Sequence, residues 1–165
     1  MIRILATFLL LLALSLPSAA AKRVALVIGN ANYKFVPALL NPINDAALME
    51  IALKGAGFEV IRKDNLDQQG MKLALIEFSR TLKQGADAGM FYYAGHGIEV
   101  DGKNYLVPID SNMQSKDEAD VYNFDVNNFM AMMENSGVPF NIMVLDACRN
   151  NPFRQAGGRS VGGAR

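Results

Sequence analysis

The chain has 165 residues, with 16 Lys and Arg against 16 Asp and Glu, one His, one Cys and no Trp. This length suits one globular domain of ordinary size. A nucleic-acid-binding platform normally carries a basic excess, and the balanced charge argues against one. We therefore expect no nucleic acid among the partners of this protein.

Residues 1–21 have the pattern of a secretory signal peptide. A basic start is followed by apolar residues 4–16, then by Pro17 and the small residues 19–21. The apolar stretch is short for a membrane-spanning helix, which favours cleavage over the alternative of a retained anchor. The sequence thus predicts an exported protein, periplasmic or secreted, with no membrane attachment after cleavage.

Cys148 is the chain's single cysteine and cannot form an internal disulfide. Exported proteins usually meet an oxidising compartment, where a spare exposed thiol is a hazard. Cys148 is therefore either a buried bystander or a residue retained for its thiol chemistry.

Strands and helices alternate in the first half of the chain. Residues 23–29 form a nearly continuous apolar run, typical of a central parallel strand. Asn41 and the residues up to 57 predict a capped helix, 58–64 a half-buried strand, and the segment that follows it a second helix. The residues expected to face the core are Ala47, Leu48, Ile51 and Ala52 in the first helix, and Met71, Leu75, Phe78 and Leu82 in the second.

The second half continues the alternation. Residues 88–94 predict a third strand, and Asp101-Gly102 is a good hairpin turn. Asp125 is expected to cap a helix, and residues 141–146 predict a fourth long strand. The residues of that last helix expected to face the core are Val126, Phe129, Met130 and Met133.

This order of elements predicts an α/β fold, a three-layer sandwich with a mainly parallel sheet between helices. Residues 22–153 form one domain, and 154–165 read as a flexible Gly- and Arg-rich tail or the cut end of a longer chain. Ligands of such sheets gather at the carboxyl ends of the strands. His96 lies two residues past the third strand and Cys148 two past the fourth, so they share one edge if those strands are neighbours.

A cysteine attacks as its thiolate, and a nearby imidazole can accept the thiol proton and later protonate the leaving group. His96 and Cys148 at one sheet edge are therefore a candidate catalytic pair. His96 stands about 50 residues ahead of Cys148, as in the caspase pattern. The α/β-hydrolases and papain-like enzymes have the reverse order of nucleophile and His.

Two other site types receive little support from the residues. A dinucleotide site needs three spaced glycines, but Gly29 stands alone after its strand. Structural zinc sites use ligands in short paired spacings, and none is present. We expect no metal or other cofactor, and the residues do not indicate whether calcium is required.

Five segments in order carry a resemblance to a known family. They are "RVALVIGNANY", "NPINDA", "FYYAGHG", "NYLVPID" and "LDACRNNPF". Over nearly all of 22–153 the chain resembles a bacterial caspase-like protein of the metacaspase-related kind. The resemblance implies the caspase-hemoglobinase fold, here expected to lack its last strands. It also implies Cys148 as nucleophile, His96 as general base and acid, and the backbone amides of Gly97 and Cys148 as the oxyanion hole.

Asp146 lies two residues before Cys148, so in an extended chain both face the same way. A carboxylate beside a thiol disfavours the thiolate unless a cation lies between them, and a substrate Lys or Arg would supply that cation. The resemblance implies that Asp146 and Asp45 line a pocket for a basic P1 residue. As alternatives, Asp45 stabilises the first turn of its helix through the macrodipole, and Asp146 caps a turn after its strand.

These residues predict a cysteine endopeptidase that uses a Cys-His dyad to hydrolyse a peptide or protein substrate after Arg or Lys. Because fold likeness does not establish function, a second hypothesis stays open. In that hypothesis the chain is a catalytically weak caspase-like module that recognises a peptide or another partner.

Overall fold

The structure is a computed structural model that describes residues 21–148, apart from the side chain of Cys148. The strands are β1 (Arg23–Gly29), β2 (Phe58–Asp64), β3 (Ala88–Val100), β4 (Lys103–Leu106), β5 (Phe124–Asp125) and β6 (Phe140–Cys148). The helices are α1 (Pro42–Gly55), α2 (Gln68–Leu82), α3 (Ala119–Tyr122) and α4 (Val126–Glu134), with a 3₁₀ turn at Lys116–Glu118. None of these described helices has the length and apolar character needed to cross a membrane. The predicted signal peptide, up to residue 20, and the 154–165 tail lie outside the described residues.

The sheet is mixed, with a parallel centre. Strands β2, β1, β3 and β6 lie side by side and run parallel. Beyond residue 96, β3 pairs instead with β4, which runs antiparallel and pairs in turn with β5. The predicted α/β class with a mainly parallel sheet is confirmed.

Alternate residues of β1 face the two helical layers. Val24, Leu26 and Ile28 pack into the core beneath α2 and α4, whereas Ala25 and Val27 pack beneath α1. All five side chains have no exposed surface. A strand covered on both faces needs apolar residues at every position, which explains the continuous apolar run of the sequence. Burying each larger side chain contributes roughly 1.5–3 kcal/mol.

The inward face predicted for α1 was wrong. The helix buries Pro42, Ala46 and Leu53, while Leu48 and Ile51 remain 66% and 69% exposed. Apolar residues occur all around this helix, so the hydrophobic pattern did not identify the side that faces the sheet. Asn41 precedes the helix as predicted, but its side chain makes no capping hydrogen bond.

The other two long helices follow their predictions more closely. In α2, Leu75 is half-buried and packs at the margin of the core, and the rest of the predicted stripe is buried with Ala74. In α4, the Asp125 carboxylate accepts from the Asn127 amide as the predicted cap, but Met130 is 44% exposed. Met130 therefore lies outside the buried apolar stripe of α4.

Strands β3 and β6 are longer than the sequence indicated. His96 and Cys148 lie within these strands and not two residues past them. The glycines around His96 suggested a break, yet β6 and β4 offer pairing partners that keep the chain extended. The hairpin between β3 and β4 is confirmed, with Asp101 and Gly102 both at positive φ, 50° and 81°. This is the geometry of a two-residue hairpin turn.

Helix α1 lies directly on Gly29, at the end of β1. A Cβ atom there would be 2.7 Å from the Pro42 carbonyl oxygen and 2.9 Å from the Ala46 Cβ. On its other side the helix is tied to β2, because Arg62 donates to the Glu50 carboxylate at 3.2 Å. The absence of a side chain at residue 29 therefore sets how closely α1 approaches the sheet.

The variant Gly29→Ala should destabilise the protein by about 1–3 kcal/mol, since the added methyl group must displace α1. Gly55→Ala is the matched control. Gly55 is the last residue of α1, and nothing lies within 4 Å of a Cβ atom placed there. Urea denaturation measures both. Equal midpoints for Gly29→Ala and the unmodified protein would contradict the close packing described.

Candidate active site

His96 and Cys148 lie at the same register position of two adjacent parallel strands. They are direct Cα partners of β3 and β6. Neighbouring strands lie about 4.8 Å apart, so the two backbones are close at this point. The sequence placed both residues at one sheet edge on the condition that their strands were neighbours, and the strands are neighbours.

A backbone carbonyl fixes the orientation of the His96 imidazole. Its Nε2 atom lies 2.8 Å from the Pro37 oxygen, and the half-buried ring packs at a tilt against Tyr33 with centroids 4.6 Å apart. A carbonyl can only accept a hydrogen bond, so Nε2 carries the hydrogen. Nδ1 is then the basic nitrogen that can take a proton. Sequence reasoning missed Pro37, because a main-chain contact leaves no signal in residue type.

Asn30 anchors the loop that carries Pro37. Its buried side-chain amide donates to the Leu66 and Val107 carbonyls, each at 3.3 Å, and its side-chain oxygen accepts from the Leu66 amide at 2.9 Å. Leaving such a buried amide unpaired would cost roughly 1–3 kcal/mol. The position of a polar residue directly after a buried strand was the one available signal for Asn30.

Gly97 follows His96 in β3 and is buried. It pairs with Leu106 of β4 and lines a cavity of about 140 Å³ together with Leu145 and Ala147 of β6. The two residues expected to supply oxyanion-hole amides, Gly97 and Cys148, therefore lie near the same end of adjoining strands.

Asp146 contacts the hydroxyl of Tyr92, and the charge of Asp45 also acts on it. Tyr92 donates to Asp146 Oδ2 across 3.4 Å. Burial, then the charges of Asp146 and Asp45, together raise the pKa of Tyr92 to about 12. One acid comes from β6 and the other from α1, so the fold brings together two carboxylates that are far apart in the chain. No sequence pattern indicated a role for Tyr92.

The structure bears differently on the alternative structural roles of the two acids, helix stabilisation for Asp45 and turn capping for Asp146. Asp45 is half-buried in the first turn of α1, where a carboxylate also stabilises the helix dipole. Asp146 is exposed and lies within β6, in register with Ala94. The turn-capping alternative for Asp146 was wrong, because the strand continues to Cys148.

Across residues 21–148, no group of three or more His, Cys, Asp or Glu side chains is arranged to hold a metal ion. The whole sequence holds one histidine and one cysteine, so the site has no second residue of either type. The chemistry available at this edge is that of one imidazole, one thiol and two carboxylates.

Known proteins resemble the chain over most of its length. Residues 22–163 match the family model described as the Caspase domain. Mucosa-associated lymphoid tissue lymphoma translocation protein 1 of Homo sapiens is 34% identical over 130 residues, and its Mus musculus homolog is 33% identical over 130 residues. Each match covers 79% of this chain but 15% of the relative. The chain thus spans a small part of the length of these relatives.

The variant Asp146→Asn should lower the pKa of Tyr92 from about 12 toward its ordinary value of 10, since it removes a nearby negative charge. Burial keeps the pKa above 10. The measurement is a pH titration of the tyrosine ¹³Cζ chemical shifts, with Tyr92→Phe to assign the signal.

Asp117→Asn is the matched control, because Asp117 is exposed in the 3₁₀ turn and its charge does not act on Tyr92. An unchanged Tyr92 titration in Asp146→Asn would contradict the convergence of the acids on this hydroxyl.

Proposed function

Because the chain belongs to the Caspase domain family, we propose that it is a cysteine endopeptidase that cleaves peptide bonds after Arg or Lys. Cys148 is the nucleophile, and His96 is the general base and acid. The single observation that carries the proposal is the register match of these residues on adjacent strands. The Pro37 contact supports it further, because in the neutral imidazole it makes Nδ1 of His96 the nitrogen that can accept a proton.

In the acylation step, His96 Nδ1 takes the proton of the Cys148 thiol and the sulfur attacks the scissile carbonyl carbon. A C–S bond forms as the carbonyl oxygen becomes an oxyanion, which accepts hydrogen bonds from the amides of Gly97 and Cys148. Such preorganised donors contribute on the order of 3 kcal/mol each in other proteases. The imidazolium then gives its proton to the leaving amine as the C–N bond breaks, and a thioester remains.

In the deacylation step, neutral His96 takes a proton from water, and the water oxygen attacks the thioester carbon. A C–O bond forms, the C–S bond breaks, and the proton returns to the sulfur as the acid product leaves. The Pro37 carbonyl accepts the Nε2 hydrogen throughout, so the positive charge on the imidazolium forms beside a fixed acceptor.

The proposed preference for a basic P1 residue depends on Asp45 and Asp146. The Tyr92 hydroxyl donates to Asp146, and the charges of both carboxylates raise the pKa of Tyr92. A guanidinium presents a planar fork of donors that suits carboxylates. Its positive charge would also offset the effect of Asp146 on the neighbouring thiolate.

A second candidate function is recognition without efficient turnover. Strand β6 is an edge strand among the described residues, and it exposes Phe140 (59%), Val144 (36%) and Leu145 (38%). An open, apolar edge of this kind can bind an extended peptide as an added strand. Peptide binding by the Cys148→Ala variant, with no hydrolysis by the unmodified protein, would favour this function.

The proposal includes the setting of the enzyme. Residues 1–21 support export to a periplasmic or extracellular compartment, and the substrate is a peptide or protein and not a nucleic acid. The proposed chemistry uses no metal or cofactor. An activity assay with calcium and with chelator determines whether the ion is an activator.

Fluorogenic peptides that end in Arg, Lys or Asp test the function. The unmodified protein should hydrolyse the Arg and Lys peptides, and Cys148→Ala should abolish hydrolysis. Asp146→Asn should lower kcat/KM for the Arg peptide about 10- to 100-fold, since a hydrogen bond to a charged group is worth about 1.5–3 kcal/mol.

Asp117→Asn is again the control and should keep full activity. Preference for the Asp peptide would contradict the basic specificity. Hydrolysis that survives in Cys148→Ala would contradict the mechanism.

A further inference from the structure

His96 lies where β3 exchanges one neighbouring strand for another. On the side of β3 that faces β1, the last backbone hydrogen bond comes from Asn30, the residue after β1. Its amide donates to the Ala94 carbonyl at 2.9 Å. The next backbone hydrogen bond on that side comes from Val107, the residue after β4. Its amide donates to the His96 carbonyl at 3.1 Å. Between these contacts the His96 amide donates to a side chain, the hydroxyl of Tyr33, at 2.7 Å.

Two tyrosine hydroxyls complete the hydrogen bonding of His96. The Tyr93 hydroxyl donates toward the carbonyls of His96 and Val107, at 3.0 and 2.9 Å. Its hydrogen is therefore used, so the Tyr33 hydroxyl, 3.2 Å away, is the donor to Tyr93. Tyr33 and Tyr93 thus hold the amide and the carbonyl of His96 in one chain of hydrogen bonds.

Both hydroxyls stay protonated at neutral pH. Burial raises the pKa of Tyr33 to about 12 and that of Tyr93 well above 10. The nearest described carboxylate on β6, Asp146, bonds to Tyr92 and not to this pair. Cys148, in register with His96, is the other titratable residue at this position of the sheet. The chain of hydrogen bonds therefore persists over the working pH range of a Cys-His pair.

Gly95 provides the space in which the two hydroxyls meet. A Cβ atom on Gly95 would lie 2.6 Å from the hydroxyl oxygen of Tyr33 and 2.6 Å from that of Tyr93. Real Cβ atoms do not approach oxygen so closely, so any larger residue would separate the two hydroxyls. The first glycine of the "GHG" segment is thus required by the tyrosines and not by a turn, since the chain there is a strand.

We propose that Tyr33 and Tyr93 are positioning residues for His96, and that their paired hydroxyls, which fit only beside Gly95, set the place of the imidazole opposite Cys148. Neither tyrosine is assigned a contact with substrate. This inference rests on the proposed Cys-His function and adds to it the device that holds the base.

The kinetic test uses Tyr33→Phe, which keeps the ring against His96 and removes the hydroxyl. We expect kcat for the Arg peptide to fall about 10- to 100-fold with KM nearly unchanged. A displacement of a catalytic group by about 1 Å can lower the reaction rate by that factor. Gly95→Ala should give the same loss while both hydroxyls remain. Tyr122→Phe is the control, since it also removes a tyrosine hydroxyl, at a half-buried position in α3 that none of the described hydrogen bonds joins to His96.

A second readout does not depend on turnover. The rate of Cys148 alkylation by iodoacetamide, measured from pH 5 to 9.5, reports how the thiol ionises. In His96→Ala the profile should follow a thiol without a base, at or above the ordinary pKa of about 8.5 because the Asp146 charge disfavours the thiolate. The unmodified protein and Tyr122→Phe should differ from that profile, whereas Tyr33→Phe and Gly95→Ala should move toward it.

The outcomes separate this inference from the function on which it rests. If the unmodified protein and His96→Ala share one alkylation profile, the dyad itself is wrong. If those two differ, but Tyr33→Phe keeps the unmodified profile and kcat, the positioning role is overturned while the dyad stands. Circular dichroism checks folding, and Tyr33→Phe decides the result if Gly95→Ala does not fold.

Discussion

The pairing of β3 with β6 is the constraint on which the rest of the structure depends. The two strands run parallel and in register over nine positions, which end at His96 and Cys148. Side chains alternate between the faces of a strand, so a slip of one residue would place the two on opposite faces. The chemistry proposed for this protein therefore depends on register, and register depends on the buried apolar residues of both strands.

Around this pairing, side chains of the site form hydrogen bonds with backbone groups that have no partner within the sheet. β1 ends at Gly29 and β4 begins its pairing at Gly97, and the polar groups between them need other partners. Asn30 and the hydroxyls of Tyr33 and Tyr93 supply them. Hydrogen bonds of this kind contribute about 1 kcal/mol each to stability, but leaving the buried groups unpaired would cost more. The same contacts that complete the sheet also hold the imidazole.

The sequence predicted most of the fold, because β1 and β2 carry the apolar patterns of a covered and a half-covered strand. It predicted that His96 and Cys148 share one edge of the sheet if their strands are neighbours, through the rule that ligands gather where parallel strands end. It misplaced the ends of β3 and β6, because the apolar runs stop before His96 and Cys148 while the backbone pairing of the two strands continues to these residues. It also chose the wrong face of α1, where apolar residues surround the helix. The Pro37 contact could not be predicted, because any residue type offers a carbonyl.

The central claim is that the imidazole of His96 faces the sulfur of Cys148 with its unprotonated nitrogen. A crystal structure of the full chain at high resolution tests it directly. We expect His96 Nδ1 within about 4 Å of Cys148 Sγ, with Nε2 still bonded to the Pro37 carbonyl. An imidazole turned away from the sulfur, or another side chain lying between the two atoms, would contradict it.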